Sequence, residues 1–201
     1  MLLIGVNRSP YTRRVAITLR HYGVTYAQRD LSGFGDRDAV RAANPLGRIP
    51  ALVLDDRETL VDSGAIVDHL DQAFGGAQPL TPAGGAERRA VLRLAAIAMG
   101  ACDKGLQAAY ARNHYPPDMH HLPWIDDCLA QMWQALAALE SAVDPASCWL
   151  LLDRLTQADI CAFVAERLGR GLGLDTAAGM PRLHGLARRW LDLPAFRSTE
   201  P

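Results

Sequence analysis

A serine hydroxyl at the start of a predicted helix is the group in this chain best placed for chemistry. Residues 2–6 form an apolar run that favours a short buried strand, and Ser9-Pro10 follows almost at once. Serine is a preferred N-cap residue, and proline suits the first helical position because its missing N–H costs nothing there. The junction therefore predicts a hydroxyl at the positive end of a helix, a position that favours a bound anion.

Two further segments combine turn residues with polar side chains. Residues 44–50 read Asn-Pro-Leu-Gly-Arg-Ile-Pro and end directly before a predicted strand. Asp62-Ser63 opens a predicted helix directly after another short strand. From the residues alone, Ser9 and Ser63 are either plain helix caps or ligand-binding hydroxyls, and Pro50 is an ordinary residue at the entry of a strand.

These segments are positioned by alternating strands and helices. The first helix is predicted over residues 10–22, with Gly23 at the position that follows its C-cap. Its apolar side chains recur at spacings of three and four: Tyr11, Val15, Leu19 and Tyr22. Its arginines are predicted to face away from this apolar side: Arg13, Arg14 and Arg20. The other elements of this part are strands at 25–30, 51–54 and 59–61, and helices at 36–43 and 63–74.

The second part of the chain has no strand pattern. Residues 78–85 are rich in proline and glycine and are predicted to be a linker between domains. Helical periodicity then predicts helices at 87–112, 122–143, 156–168 and 181–191. The predicted fold class is an α/β domain at 1–76, a linker at 77–85 and an all-α domain at 86–201.

Composition narrows the class of function. The chain has 201 residues, of which 49% are hydrophobic, and its net charge is −1. This balance favours a folded core and argues against nucleic acid or an anionic membrane as a partner. The four cysteines form no C-x-x-C pair, and no membrane span or secretion signal is predicted. The expected protein is soluble and cytoplasmic.

Four motifs occur along the chain in the order of the cytosolic glutathione transferase family. Through them the chain resembles the bacterial-like serine type of that family. They are Ser9-Pro10-Tyr11, the segment 44–50, Asp62-Ser63, and Thr156-Gln157-Ala158-Asp159-Ile160. The resemblance spans nearly the whole chain. It implies the glutathione transferase fold, in which a thioredoxin-like N-terminal domain binds glutathione and an all-helical C-terminal domain shapes the site for the electrophile.

The resemblance assigns the catalytic role to Ser9, which stabilises the thiolate of glutathione. Lowering a thiol pKa by about two units needs roughly 2.7 kcal/mol. A helix start contributes roughly 0.3–2 kcal/mol, and a hydroxyl donor to a charged acceptor contributes about 1.5–3 kcal/mol, so together they suffice. Serine cannot form the mixed disulfide of cysteine-type relatives, which points to conjugation, isomerisation or peroxide reduction.

The remaining glutathione contacts are also carried over from the family. Arg48 is expected to reach the glycine carboxylate, and the backbone of Ile49 is expected to pair with the cysteine of glutathione, next to a cis Pro50. Asp62 is expected to bind the ammonium group of the γ-glutamyl end, and Ser63 its carboxylate. The family often has Glu or Gln where this chain has Asp62.

The electrophile site is less well specified. Its possible residues are Asn7, Arg8, Tyr11, Lys104, Gln107 and Tyr110. Tyr11 is alternatively a core residue, since it falls on the apolar side of the first helix, and Lys104, Gln107 and Tyr110 alternatively lie on a solvated or dimer-contacting side. His114, His120 and His121 have no ligand partners at a recognised spacing, so a surface loop is favoured and no metal site is predicted. Thr156 and Asp159 fit a capping box with a structural role.

The predicted function is transfer of glutathione to a small, apolar electrophile, in detoxification. The resemblance implies a homodimer that uses glutathione as co-substrate and no metal. Two alternatives remain open: a non-catalytic binding module with the same fold, or a glutathione-dependent isomerase, peroxidase or dehalogenase.

Overall fold

Four short strands form one mixed sheet in the first part of the chain. The computed structural model describes residues 1–201 and groups them in two units, 1–81 with 191–201, and 82–190. The strands are β1 (Leu2–Ile4), β2 (Ala27–Arg29), β3 (Ala51–Val53) and β4 (Thr59–Val61). Their order is β2-β1-β3-β4, with β1 parallel to β2 and antiparallel to β3, and β3 antiparallel to β4. This is the thioredoxin-like arrangement that the resemblance implied.

Three helices accompany the sheet in the first unit. They are α1 (Pro10–His21), α2 (Arg37–Arg41) and α3 (Ser63–Phe74). A buried cluster joins α1 and α3 to the central strands through Leu3, Val15, Ala16, Leu19, Leu52, Ile66, Val67 and Leu70. The predicted start of α1 and both bounds of α3 are confirmed, and Gly23 after α1 has a φ of 66°, as expected for the position that follows a C-cap.

The prediction that all the α1 arginines face away was wrong for two of them. Arg13 and Arg14 are only 4% and 8% exposed, whereas Arg20 is exposed. The reason is that α1 is covered on more than its apolar side. Arg14 lies against the start of α3, and Arg13 lies against the end of the chain.

Residues 191–201 belong to the first unit, whereas the predicted division grouped 86–201 as one helical domain. This segment contains a short helix, Pro194–Arg197, that packs on α1. Phe196 and Thr199 are fully buried, and Arg13 Nε donates to Thr199 Oγ1 at 3.4 Å. The segment therefore completes the core around α1, a long-range contact that local periodicity does not report.

The buried carboxylate of Asp71 fixes residues 80–81, where the segment 1–81 of this unit ends. Asp71 accepts from the Tyr22 hydroxyl at 2.6 Å and from the Thr81 amide at 3.0 Å, and the Tyr22 oxygen accepts from the Leu80 amide at 2.8 Å. Burial raises the pKa of Asp71 although these donors oppose the change. The network joins α1, α3 and residues 80–81.

The second unit, residues 82–190, is entirely helical. Its elements are α4 (Gly85–His114), a 3₁₀ turn (Pro117–Met119), α5 (Leu122–Ala142), α6 (Gln157–Gly171), α7 (Thr176–Gly179) and α8 (Pro181–Trp190). The four predicted helices are confirmed, and the short turns at 117–119 and 176–179 were not predicted. Helices α5 and α6 both pack on α4. None of the helices combines the length and apolar character that a membrane crossing requires.

The predicted capping box at the start of α6 is confirmed. Asp159 Oδ2 accepts from the amide and the hydroxyl of Thr156, both at 2.7 Å, and Oδ1 accepts from the Leu150 amide at 2.8 Å. The carboxyl is fully buried, and this burial raises its pKa from 3.8 to about 6 against the opposing effect of the three donors. Asp159 therefore joins the preceding loop to the helix.

This burial predicts a pH dependence of stability. Between about pH 4 and pH 6 the folded protein holds more protons at Asp159 than the unfolded chain, so the contribution of this residue to the free energy of unfolding falls as pH rises, by about 3 kcal/mol. The substitution Asp159→Asn removes this titration. The difference in unfolding free energy between the wild type and Asp159→Asn should therefore shrink from pH 4 to pH 7 in urea titrations.

The exposed Asp118→Asn serves as the matched control, and its difference from the wild type should stay nearly constant over the same range. A constant difference for Asp159→Asn as well would contradict the raised pKa.

Candidate functional site

The Ser9 side chain lies at the start of α1 as an N-cap. Its Oγ accepts a hydrogen bond from the Thr12 amide at 3.3 Å, and its carbonyl accepts from the Arg13 amide at 2.9 Å. Because the hydroxyl oxygen acts here as the acceptor, its own proton is available for another partner. The residue is partly buried, and the helix start beside it carries a partial positive charge.

Gly5 allows α1 to approach the end of β1. Its φ is 139°, and a Cβ atom at this position would lie 2.5 Å from Thr12 Oγ1 and 3.1 Å from Ile49 Cβ. Thr12 Oγ1 is buried without a hydrogen-bond partner, so the side chain acts there through packing. The first turn of α1 and the residue before Pro50 therefore meet at a backbone position that only glycine accommodates.

The loop between β1 and α1 is braced from β2. Gln28 Nε2 donates to the Gly5 carbonyl at 2.9 Å and to Asn7 Oδ1 at 3.0 Å. Asn7, a candidate for the electrophile site, thus has its amide oxygen engaged, whereas Arg8 is exposed. Sequence reasoning missed Gln28, since its partners lie far from it along the chain.

The segment 44–50 is folded around Asn44, which is almost fully buried. Its Nδ2 donates to the Arg48 carbonyl at 2.8 Å, and its Oδ1 accepts from the Leu46 amide at 3.1 Å. The predicted cis bond between Ile49 and Pro50 is confirmed, and Arg48 is exposed. Asn44 was not predicted as a site residue, although an asparagine before proline is a typical turn-forming signal.

The start of α3 separates the roles of Asp62 and Ser63. Asp62 is the N-cap, with a φ of 70°, and its Oδ1 accepts from the Gly64 amide at 2.7 Å. Ser63 is the first helical residue and is only 4% exposed. Its Oγ lies 3.5 Å from Arg14 Nη1, so a buried guanidinium stands directly behind this helix start.

The candidates from the second unit lie along one stretch of α4. Gln107 and Tyr110 line a cavity of about 450 Å³ at the turn between α4 and α5. Its other lining residues are Ala111, Tyr115, Met119, His120, His121 and Trp124. Lys104 is placed beside it, with its Nζ 5.7 Å from the centre of the Trp124 ring. Tyr11, the remaining candidate, is partly buried in the first unit.

The histidines in this region make local contacts. His120 Nε2 lies 2.9 Å from the Tyr115 carbonyl, and the rings of His114 and Tyr110 are 5.6 Å apart. No group of three His, Cys, Asp or Glu side chains in residues 1–201 is arranged to hold a metal ion.

The strand order of the first unit and the helical second unit define a protein with a thioredoxin-like N-terminal part, and the comparisons with known proteins agree. Residues 3–78 match the glutathione S-transferase N-terminal domain. The whole chain is 30% identical to maleylacetoacetate isomerase from Pseudomonas aeruginosa and covers 96% of that protein.

Two solved structures are similar over the entire chain. A glutathione S-transferase from Methylobacterium radiotolerans in complex with glutathione sulfonate has a TM-score of 0.92 at 25% identity, with 94% of it covered. A glutathione transferase family member from Pseudomonas fluorescens with bound glutathione has a TM-score of 0.88 at 30% identity, with 98% covered. The chain belongs to the glutathione transferase family.

The tight approach at Gly5 predicts a steric effect that can be measured. Gly5→Ala introduces a side chain at a positive φ and forces it against Thr12, so the free energy of unfolding should fall by about 3 kcal/mol. Gly35→Ala is the matched control, because a Cβ there meets no atom within 4 Å, and it should be nearly neutral in thermal melts.

The double variant Gly5→Ala, Thr12→Ala separates the steric contribution from the backbone strain. It should be more stable than the sum of the two single changes predicts, since the alanine at position 12 removes the clashing atoms. Strictly additive losses would contradict the steric explanation.

Proposed function

We propose that this protein binds glutathione in its first unit and uses Ser9 to stabilise the thiolate for attack on a small, apolar electrophile. The observation that carries this proposal is the Ser9 hydroxyl, which caps α1 as an acceptor and keeps its proton for a bound sulfur. The same unit contains the cis Ile49–Pro50 bond and the Asp62-Ser63 helix start. The glutathione-bound relative from Pseudomonas fluorescens supports glutathione as the ligand.

The proposed pose follows the polar groups of the first unit. The exposed Arg48 receives the glycine carboxylate of glutathione, and the Ile49 backbone pairs with its cysteine. Asp62 and Ser63 receive the ammonium and carboxylate of the γ-glutamyl end. Since Asp62 Oδ1 already caps Gly64, the second carboxylate oxygen is the one assigned to the ammonium group.

Isomerisation is the second candidate, and the full-length similarity to maleylacetoacetate isomerase favours it. A thiolate that adds to a double bond conjugated with a carbonyl forms a C–S bond and breaks the C=C π bond, whose electron pair moves to the carbonyl oxygen as an enolate, and the remaining C–C single bond can rotate. When the C–S bond breaks and the double bond forms again, the thiolate is returned unchanged. Ser9 would serve both reactions, because each begins with the thiolate. Peroxide reduction and dehalogenation would also begin with it.

The family resemblance also supports a homodimer, a cytoplasmic location and a role in detoxification. The oligomeric state and the location are independent of the thiol chemistry, whereas a role in detoxification depends on it. Light scattering during size-exclusion chromatography should show a dimer, and a stable monomer would contradict that part of the proposal.

Removing the Ser9 hydroxyl tests the catalytic role. In Ser9→Ala the pKa of the bound glutathione thiol should rise by roughly one to two pH units toward its free value, because the hydroxyl no longer donates to sulfur. The measurement is a pH titration of the ultraviolet absorbance of the thiolate. Turnover at neutral pH should fall in parallel.

Two controls test whether the hydroxyl at position 9 itself is responsible. Ser141→Ala, an exposed serine in the second unit, should leave the thiol pKa unchanged, and Ser9→Thr, which retains a hydroxyl, should keep most of the lowering. An unchanged thiol pKa in Ser9→Ala would exclude the proposed role. Binding without any lowering in the wild type would favour the non-catalytic module.

Stoichiometry separates the two candidate reactions. With 1-chloro-2,4-dinitrobenzene the transferase should consume one glutathione for each chloride released. With a cis-configured conjugated diketo acid an isomerase should convert the double bond and leave the glutathione concentration constant. If the protein isomerises the diketo acid without consuming glutathione and does not conjugate 1-chloro-2,4-dinitrobenzene, isomerisation replaces glutathione transfer as the proposed reaction.

A further inference from the structure

We infer that the side-chain amide of Asn7 donates a hydrogen bond to an oxygen of the second substrate, on which negative charge develops as the thiolate adds. This inference rests on the proposed function and gives a chemical role to a residue that the sequence indicated only as a candidate. It also narrows the second substrate to an electrophile whose reacting carbon is conjugated with a carbonyl or nitro group.

The Gln28 amide is oriented by groups that can only accept hydrogen bonds. Gln28 Nε2 lies 2.9 Å from the Gly5 carbonyl oxygen and 3.1 Å from Asp30 Oδ1. A backbone carbonyl and an ionised carboxylate have no proton to donate, so the amide atom that faces them must be the nitrogen of Gln28 and not its oxygen. The same nitrogen lies 3.0 Å from the side chain of Asn7.

The orientation of Gln28 in turn sets that of Asn7. A nitrogen that donates must face an oxygen, so the Asn7 amide directs its Oδ1 toward Gln28 and carries its Nδ2 on the other arm of the same carbon. Asn7 is half-buried, and its Nδ2 makes no hydrogen bond within the protein. The side chain is therefore held by its acceptor and presents its donor to a ligand.

Asn7 and Ser9 lie in one tight turn that follows β1. The Ser9 amide donates to the Val6 carbonyl at 3.0 Å and closes this turn over residues 6–9. The Cα atoms at the two ends of such a turn lie within about 7 Å of each other. The Asn7 amide is therefore a neighbour of the hydroxyl that is proposed to hold the sulfur, and a substrate that reaches the sulfur also reaches this donor.

Addition of the thiolate to an enone transfers charge from sulfur to oxygen. A sulfur lone pair forms the C–S bond with the β-carbon, the C=C π pair moves between the α-carbon and the carbonyl carbon, and the C=O π pair moves to oxygen as an enolate. The α-carbon then takes a proton from water, and Asn7 keeps its own protons. A hydrogen bond from Asn7 Nδ2 is stronger to the enolate oxygen than to the neutral carbonyl, so it lowers the barrier to addition.

Two electrophiles of similar size separate this step from thiol activation. Addition to 3-penten-2-one forms an enolate, whereas in iodoethane the C–I bonding pair leaves with iodide and no oxygen gains charge. Both reactions begin with the same thiolate, so the ratio of their kcat/KM values does not depend on how much thiolate is present. Asn7→Leu should lower the ratio of enone to iodoethane by roughly tenfold to a hundredfold. The pKa of the bound glutathione thiol should keep its wild-type value.

The substitution Asn7→Leu is compatible with the fold, because the two protons of Gln28 Nε2 still have the Gly5 carbonyl and Asp30 as acceptors. Asn7→Asp keeps the inference testable if Asn7→Leu does not fold. It retains an acceptor for Gln28 and replaces the donor by a carboxylate oxygen, so it should lower the ratio at least as far.

Gln78→Leu is the matched control, because it removes an exposed amide from the same unit and should leave the ratio unchanged. Gln28→Met tests the positioning role of Gln28. It should lower the ratio less than Asn7→Leu does, and it should have no further effect on the ratio when Asn7→Leu is already present.

An unchanged ratio in Asn7→Leu or in Asn7→Asp would overturn the role of Asn7 and leave the proposed function standing. A raised thiol pKa in Asn7→Leu with an unchanged ratio would assign the donor to sulfur instead. A wild type that reacts with iodoethane and not with the enone would overturn the substrate class. If the enone alone reacts, kcat at a pH well above the bound thiol pKa replaces the ratio, and it must fall in Asn7→Leu. If neither electrophile consumes glutathione, the proposed function fails and this inference with it.

Discussion

The close approach of α1 to Gly5 is the constraint on which the candidate site depends. The first turn of α1 packs on a backbone position without a side chain, and Ile49 packs on the same position from the other loop. Because the two segments share this contact, the helix start that carries Ser9 is held against the segment that leads into Pro50. Gln28 and Asn44 then secure the two loops through hydrogen bonds to their backbones. A side chain at position 5 would push these two segments of the candidate site apart.

Features that depend on interactions between residues close together in the sequence could be predicted from it. The start of α1 follows from Ser9-Pro10 and its end from Gly23, and the capping box of α6 follows from Thr156 and Asp159. Each of these depends on residues within one turn of the chain. The cis bond at Pro50 is different, since local sequence favours trans and only the family resemblance predicted it.

The features that were missed depend on distant partners. Arg13 and Arg14 are polar, so helical periodicity places them outside, yet Thr199 and Ser63 meet them there from remote parts of the chain. Burying an arginine is costly unless its donors find acceptors, and those acceptors are known only when the tertiary contacts are known. For the same reason the inclusion of residues 191–201 in the first unit could not be deduced from their composition.

Thiol activation and reaction outcome are separate problems in this molecule. Under the proposed function, Ser9 and the start of α1 act on the sulfur, so they set how much thiolate is present whichever reaction follows. The outcome is decided after the C–S bond forms, by whether a leaving group departs or the electrons return to expel the sulfur. That decision belongs to the groups around the second substrate. A fold that binds glutathione in one way can therefore host both reactions, and full-length similarity to an isomerase is compatible with conjugation.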